Sequence, residues 1–216
     1  MNRIKRTNIF KIFEHQRPQP KTELRYTNVF ELLIAVILSA QATDISVNKI
    51  TNVLFVKAKT PDDVIKLGES KLMQIIKSIG LYRSKARNII RTCEILSSEY
   101  NNKVPENREL LERLPGVGRK TANVVLNTYF GWNTIAVDTH VFRVSNRTGI
   151  ATGRKVEIVE SKLDRLIPDN YKKNAHHWLI LHGRYICKAR TPLCHRCPIS
   201  VLCEFKQKNT TEANPS

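Results

Sequence analysis

Residues 29 to 40 read Val-Phe-Glu-Leu-Leu-Ile-Ala-Val-Ile-Leu-Ser-Ala, and Glu31 is the one charge in the run. A bilayer span takes about 20 apolar residues, so this run is too short to cross a membrane. A helix apolar on nearly every face must be surrounded by other elements, which predicts the middle of a helical bundle. Asn28 with Glu31 three residues on has the pattern of a capping box that launches it. Ser39-Ala40-Gln41-Ala42-Thr43-Asp44 closes it in a small polar break.

The rest of the chain offers helices to do the surrounding. Ile4, Ile9, Phe10, Ile12 and Phe13 make one apolar side of a short helix, ended by Arg17-Pro18-Gln19-Pro20. Ile45, Ile50, Val53 and Leu54 mark another, and Thr60-Pro61-Asp62-Asp63 starts a third with proline at its first position. Leu72, Ile75 and Ile76 follow. A long helix spans 84 to 100, with Cys93 as a core residue. Helices at 155–166 and 171–186 come late in the chain, and Asp138 is an N-cap for a helix through Val144. Alternating strand patterns are absent, so the expected fold class is all-α.

A length of 216 residues fits one domain or two small ones. Lys and Arg number 36 against 19 acidic residues, a formal +17. That excess points to a polyanion, either nucleic acid or an anionic membrane. The N-terminus Met1-Asn2-Arg3-Ile4-Lys5-Arg6 lacks the apolar stretch of a signal peptide, so a soluble, cytoplasmic protein with a nucleic-acid partner is expected. Cys187, Cys194, Cys197 and Cys203 cluster near the end, which in a reducing compartment favours metal over disulfides. Their spacing, Cys-x6-Cys-x2-Cys-x5-Cys, matches neither a zinc ribbon nor the bacterial ferredoxin run. Spacing alone leaves zinc and iron–sulfur both open.

Leu114-Pro115-Gly116-Val117-Gly118-Arg119-Lys120-Thr121 separates two short helical patterns, the first opened by Asn107 and the second by Arg119. Gly116 and Gly118 can both take positive φ and leave their N–H groups uncovered. Helix, glycine turn, helix aims bare donors and a helix N-terminus at an anion, usually phosphate. Gly-Arg-Lys-Thr is not a P-loop, because Arg113 stands where that motif needs glycine and a helix precedes it. A plain helix–turn–helix connection is the other reading. Residues 79 to 89, Ile-Gly-Leu-Tyr-Arg-Ser-Lys-Ala-Arg-Asn-Ile, echo 115 to 124 with one residue inserted.

The stretch from Leu114 to Ala122 resembles the helix-hairpin-helix of DNA repair glycosylases, and Val137-Asp138-Thr139-His140-Val141 resembles the segment that follows it there. With the four cysteines, the chain from about residue 22 to 203 is similar to the endonuclease III family of DNA glycosylase/AP lyases. The resemblance implies a six-helix domain over 22–132, a second helical domain from 1–21 and 133–216, and a DNA-binding cleft between them. Lys120 and Asp138 would face each other across its mouth, as the catalytic pair. Helix N-terminus, Arg119 and partial burial would favour the neutral, nucleophilic amine of Lys120.

The same resemblance makes Cys187, Cys194, Cys197 and Cys203 the ligands of a [4Fe–4S] cluster. The cluster would fold the loop 188–193 against DNA, although Thr191 and Leu193 leave only Lys188 and Arg190 basic there. Gly116, Gly118 and Arg119 would bind DNA from the hairpin. Gln41 would plug the gap left by a flipped nucleotide and Leu81 would wedge in from the other side. The implied partner is double-stranded DNA carrying oxidised pyrimidines or abasic sites, bound by a monomer in base excision repair. Two rivals remain: a monofunctional relative such as the adenine-mismatch glycosylase, which lacks a lysine at this position, and a non-catalytic DNA-binding or redox-sensing cluster protein. Alone, Lys120 could be a phosphate-contacting surface lysine and Asp138 a routine helix cap. His140 carries no assigned chemistry.

Overall fold

The computed structural model describes residues 1–209, and their regular structure is helical: eleven α-helices and a 3-10 turn at Cys194–Arg196. None of these helices is long and apolar enough to cross a membrane. The chain divides into two compact units, Thr22–Gly131 on one side and Met1–Lys21 with the chain from Trp132 onward on the other.

Thr22–Gly131 holds seven helices: α2 (Val29–Ser39), α3 (Asp44–Lys57), α4 (Pro61–Leu67), α5 (Glu69–Ile76), α6 (Tyr82–Tyr100), α7 (Arg108–Glu112) and α8 (Arg119–Thr128). The expected count was six. At Gly68 a φ of 79° ends α4 and turns the chain straight into α5. The apolar run occupies the centre, as its composition demanded. Every residue of α2 from Phe30 to Leu38 is buried, and α3, α6 and α8 pack around it. Shortening one of those leucines to alanine would cost about 2–5 kcal/mol.

Local signals built the helix starts. Thr60 and Asp63 form a reciprocal capping box ahead of Pro61, and Asn107 accepts from Leu110 N at 3.0 Å to open α7. At α2 the box is shifted by one residue. Asn28 Oδ1 accepts from Glu31 N, but the Glu31 carboxylate reaches back to Thr27 N and Oγ1 at 2.6 and 2.8 Å instead of to Asn28 N. Cys93 lies fully buried in α6, with its thiol pushed up to about 12 by burial, an inert core residue.

The second unit contains α1 (Arg3–Gln16), α9 (Thr139–Thr148), α10 (Val156–Leu166) and α11 (Asp169–Tyr185). Phe10 of α1 stacks on Tyr171 with ring centres 5.9 Å apart, and Trp178 Nε1 donates to Arg17 O at 2.8 Å, so the N-terminal helix is bound to the C-terminal segment. α9 and α11 approach closely at Gly183, where a Cβ would lie 2.9 Å from the Cβ of His140. His140 therefore has a packing role.

Candidate functional site

The glycine turn is a product of its own residues and of α6. Val117 N bonds to Leu114 O at 3.0 Å, with Pro115 and Gly116 in the centre and Gly116 at φ 80°, the arrangement in which only glycine is unstrained. Leu114 and Val117 are buried anchors on either side. From α6, Thr92 Oγ1 donates to Pro115 O at 2.9 Å, and Asn88 lies so near Gly116 that a Cβ there would meet it at 3.2 Å. Gly118 departs from expectation. Its φ is −96° and ψ 177°, extended backbone open to any residue, and a Cβ on it would touch nothing within 4 Å.

Gly118 is also the N-cap of α8, and as glycine it brings no side chain to cap the first turn. The helix start is thus open, with Gly118, Arg119 and Lys120 all exposed. Lys120, second residue of α8, lacks the partial burial expected of it.

Asp138 is the N-cap of α9, with Oδ1 accepting from Val141 N at 2.7 Å, and it is half-buried. The approach through Ile135, Ala136 and Val137 is buried. His176 Nδ1 lies 2.9 Å from Ala136 O, and since a carbonyl only accepts, the ring donates and pins this segment two residues before the carboxylate. Sequence reasoning missed His176, because its partner is 40 residues away and nothing local marks it.

Two more candidates share an unusual backbone. Four non-glycine residues among those described have positive φ: Gln41 (56°), Leu81 (60°), Asn101 and Asn102. Asparagine tolerates that region, whereas glutamine and leucine sit there at a cost of roughly 1–2 kcal/mol each. Both are exposed, Leu81 by 59%, a large apolar side chain held out in solvent. The two turns adjoin: a Cβ on Gly80 would lie 3.9 Å from Gln41 O.

Cys187, Cys194, Cys197 and Cys203 are all free thiols lining one recess of about 340 Å³ including its mouth. Burial pushes the Cys197 thiol up to about 11 and raises that of Cys203, with the neighbouring cysteines adding to both shifts. Two thiols whose ionisation is disfavoured by burial and by neighbouring sulfurs are a poor arrangement for bare thiolates and a good one around a cationic metal centre. Four free cysteine sulfurs lining one recess are a soft donor set that fits an iron–sulfur cluster.

Arg147 ties this recess to its loop. Its guanidinium donates to Cys187 Sγ at 3.7 Å, to Lys188 O at 2.6 Å and to Ala189 O at 2.7 Å. Arg143, one turn earlier, donates to Cys187 O at 2.9 Å. Leu193 N closes the loop onto Ile186 O, and Lys188 and Arg190 are left exposed on it. Buried His182, held neutral with its value lowered to about 4 by desolvation, presents Nε2 3.7 Å from Cys197 Sγ. The two arginines carried no signal in the sequence beyond ordinary helical spacing.

Comparison with known proteins follows the same lines. Residues 34–169 match the family described as HhH-GPD superfamily base excision DNA repair protein, and residues 187–203 match the iron-sulfur binding domain of endonuclease III. Endonuclease III of Escherichia coli (strain K12) is 58% identical over 208 residues, covering 96% of this chain and 99% of that protein. Endonuclease III of Haemophilus influenzae is 59% identical over the same shares. A solved structure of a trapped endonuclease III–DNA covalent intermediate, an estranged-adenine complex, superposes with a TM-score of 0.89 at 47% identity, covering 94% of this chain and 96% of that one. The chain belongs to the endonuclease III family of HhH-GPD base excision DNA repair proteins, an all-α DNA glycosylase/AP lyase that acts on DNA and carries a [4Fe–4S] cluster.

Proposed function

We propose that this chain excises oxidised pyrimidines from double-stranded DNA and cleaves abasic sites by β-elimination, with Lys120 as the nucleophile. The observation that carries the reading is an exposed amine in the first turn of α8, directly after a braced turn and an uncapped helix start. Attack of the neutral amine on the sugar C1′ displaces the base and leaves a Schiff base. The iminium acidifies the C2′–H, and loss of that proton expels the 3′ phosphate and breaks the strand. Because Lys120 is exposed, it is bound DNA, and not the protein, that would exclude water from its amine.

Asp138 is the second catalytic group, orienting or deprotonating the attacking group and stabilising positive charge on the sugar. Its Oδ1 is held by the cap of α9, which fixes the carboxylate and leaves Oδ2 for that work. Gly116, Gly118 and Arg119 take a phosphate, and Gln41 and Leu81 fill and wedge the gap of the flipped nucleotide. Their strained backbones and exposed side chains support that role. Cys187, Cys194, Cys197 and Cys203 hold the cluster, which when bound supplies a structural crosslink and no redox step on the substrate. Arg147 and Arg143 then keep the loop in shape so that Lys188 and Arg190 face DNA phosphates. One copy supplies every part, so the working unit is a monomer, and its place of action is the cytoplasm with the nucleoid.

The covalent DNA intermediate trapped in the solved relative supports this chemistry. The test is borohydride added to the protein with duplex DNA containing thymine glycol. A bifunctional enzyme gives a trapped protein–DNA adduct and, without borohydride, a nick. Base release with no adduct would identify a monofunctional glycosylase, and neither product would leave a binding protein.

A further inference from the structure

Lys85 is the most unusual charge in the molecule. It lies on α6 with 5% of its surface exposed, and among the described residues its ammonium has no carboxylate partner. Nζ instead donates to two backbone carbonyls, Leu38 O at 2.9 Å and Ala40 O at 2.6 Å. Those carbonyls belong to the last turn of α2 and the residue after it, where a helix leaves acceptors unpaired and its dipole favours a cation. Burial lowers the lysine's pKa, the cost of placing a charge there. A neutral donor would cap a helix end more cheaply.

The position of the second bond explains the choice. Ala40 directly precedes Gln41, whose left-handed backbone has to be held by its surroundings. On its other side, Lys85 is bound to the Leu81 turn, since its own N–H bonds to Leu81 O at 3.0 Å. One residue therefore grips both strained turns, the side chain holding the Gln41 turn and the main chain holding the Leu81 turn. Three and seven residues further along α6, Asn88 and Thr92 brace the Gly116 turn. Lys85 stands at the end of that helix where DNA-filling side chains emerge.

We propose that Lys85 is a positioning residue for base flipping: its ammonium ties the Gln41 turn to the Leu81 turn, so that plug and wedge enter the duplex at a fixed separation. The inference rests on the reading of Gln41 and Leu81 as the gap-filling pair. It predicts a defect only where the duplex resists flipping, because the reacting groups are elsewhere on the chain. Mismatched or unpaired nucleotides leave the stack cheaply and need little help.

The experiment measures single-turnover excision of thymine glycol with cluster-loaded protein, once in a matched duplex and once inside a run of mismatched pairs. Lys85→Met keeps the length of the side chain and removes both bonds. The matched rate should fall roughly ten-fold, the scale of one charged hydrogen bond, while the mismatched rate stays within about two-fold. Gln41→Ala should show the same split, and Lys85→Met added to Gln41→Ala should slow the matched reaction no further. Lys85→Arg, which keeps charge and donors, should recover part of the loss. If Lys85→Met does not fold, Lys85→Gln, a shorter and uncharged side chain, takes its place and the same ratio of matched to mismatched rates decides. Equal slowing on both substrates, or losses that add to those of Gln41→Ala, would overturn the positioning role while leaving the plug intact. A Gln41→Ala protein that is fast on matched duplex would instead overturn the plug itself, and the role of Lys85 with it.

Discussion

The chain uses one turn pattern twice, and the two copies put a lysine to opposite uses. Residues 79–85 and 115–120 both run through a glycine into an uncapped helix start and then a lysine. In the second copy glycine takes the left-handed position, at Gly116; in the first that position falls to Leu81. Lys120 is the second residue of α8, and Lys85 is the fourth of α6. Two residues of helix rotate a side chain by about 200°. That rotation is enough to send one lysine out into solvent and the other inward, against the end of α2. The outward one is available to a substrate. The inward one holds the loop beside it.

The sharpest way to break the comparison is to remove the outward amine. Lys120→Gln should bind duplex DNA with an abasic analogue, yet yield no borohydride adduct and no nick, because an amide cannot form an iminium. Lys85→Met should still give the adduct on mismatched DNA. Trapping that persists undiminished in Lys120→Gln would move the nucleophile elsewhere and dissolve the contrast between the turns.

The next effect in size separates chemistry from scaffold at Asp138. Asparagine is as good an N-cap as aspartate, so Asp138→Asn should keep the bond to Val141 N and the melting temperature. Turnover should nevertheless drop by ~10²-fold or more if the carboxylate works as an acid–base group. An asparagine variant with full activity would reduce Asp138 to a cap.

How much of this was legible beforehand depended on how local the cause was. The burial of α2, the caps at Thr60, Asn107 and Asp138, and the core position of Cys93 follow from neighbours within four residues, and the sequence displays them. What it hid were partnerships across long stretches of chain. Arg143 bonds to Cys187 O and Arg147 to Lys188 O, each some 40 residues on, and Lys85 reaches back 47 residues to Leu38 O. For Lys85 a signal did exist. Its spacing to Ile89, Thr92 and Leu96 puts it on the buried stripe of α6, which is an odd place for a charge. The exposure of Lys120 and the extended backbone of Gly118 are set by where α8 begins, and helix boundaries are poorly marked by pattern alone.

Smaller effects test the second copy as a phosphate turn. Gly116→Ala forces a side chain into φ 80° with Asn88 at 3.2 Å, so stability should drop by about 1–2 kcal/mol. DNA affinity should fall with it, because the turn no longer closes as it does between Leu114 and Val117. Thermal melting measured beside binding to an abasic-analogue duplex reads both. An unchanged melting temperature would mean that the turn is softer than its bonding implies.

Gly118→Ala is the finer probe, since here fold and function should come apart. The backbone at φ −96° and ψ 177° suits alanine, and its methyl would meet nothing within 4 Å. Alanine is a clearly worse N-cap than glycine, but it also restricts the unfolded chain by a comparable amount, so the two terms largely offset, to within about 0.5 kcal/mol. Melting should therefore stay put. If a phosphate oxygen comes up against the bare N–H groups at the start of α8, the added methyl stands in its way, and affinity should drop by a similar factor at every salt concentration. No cation is lost, so the slope of affinity against salt should not change. Arg119→Ala is the control of opposite character: it removes one charge, and the logarithmic slope should flatten by about 0.9. A Gly118→Ala protein that binds DNA as tightly as the original would show that phosphate is gripped elsewhere, and that glycine at this position answers to neither the fold nor the hairpin's proposed contact.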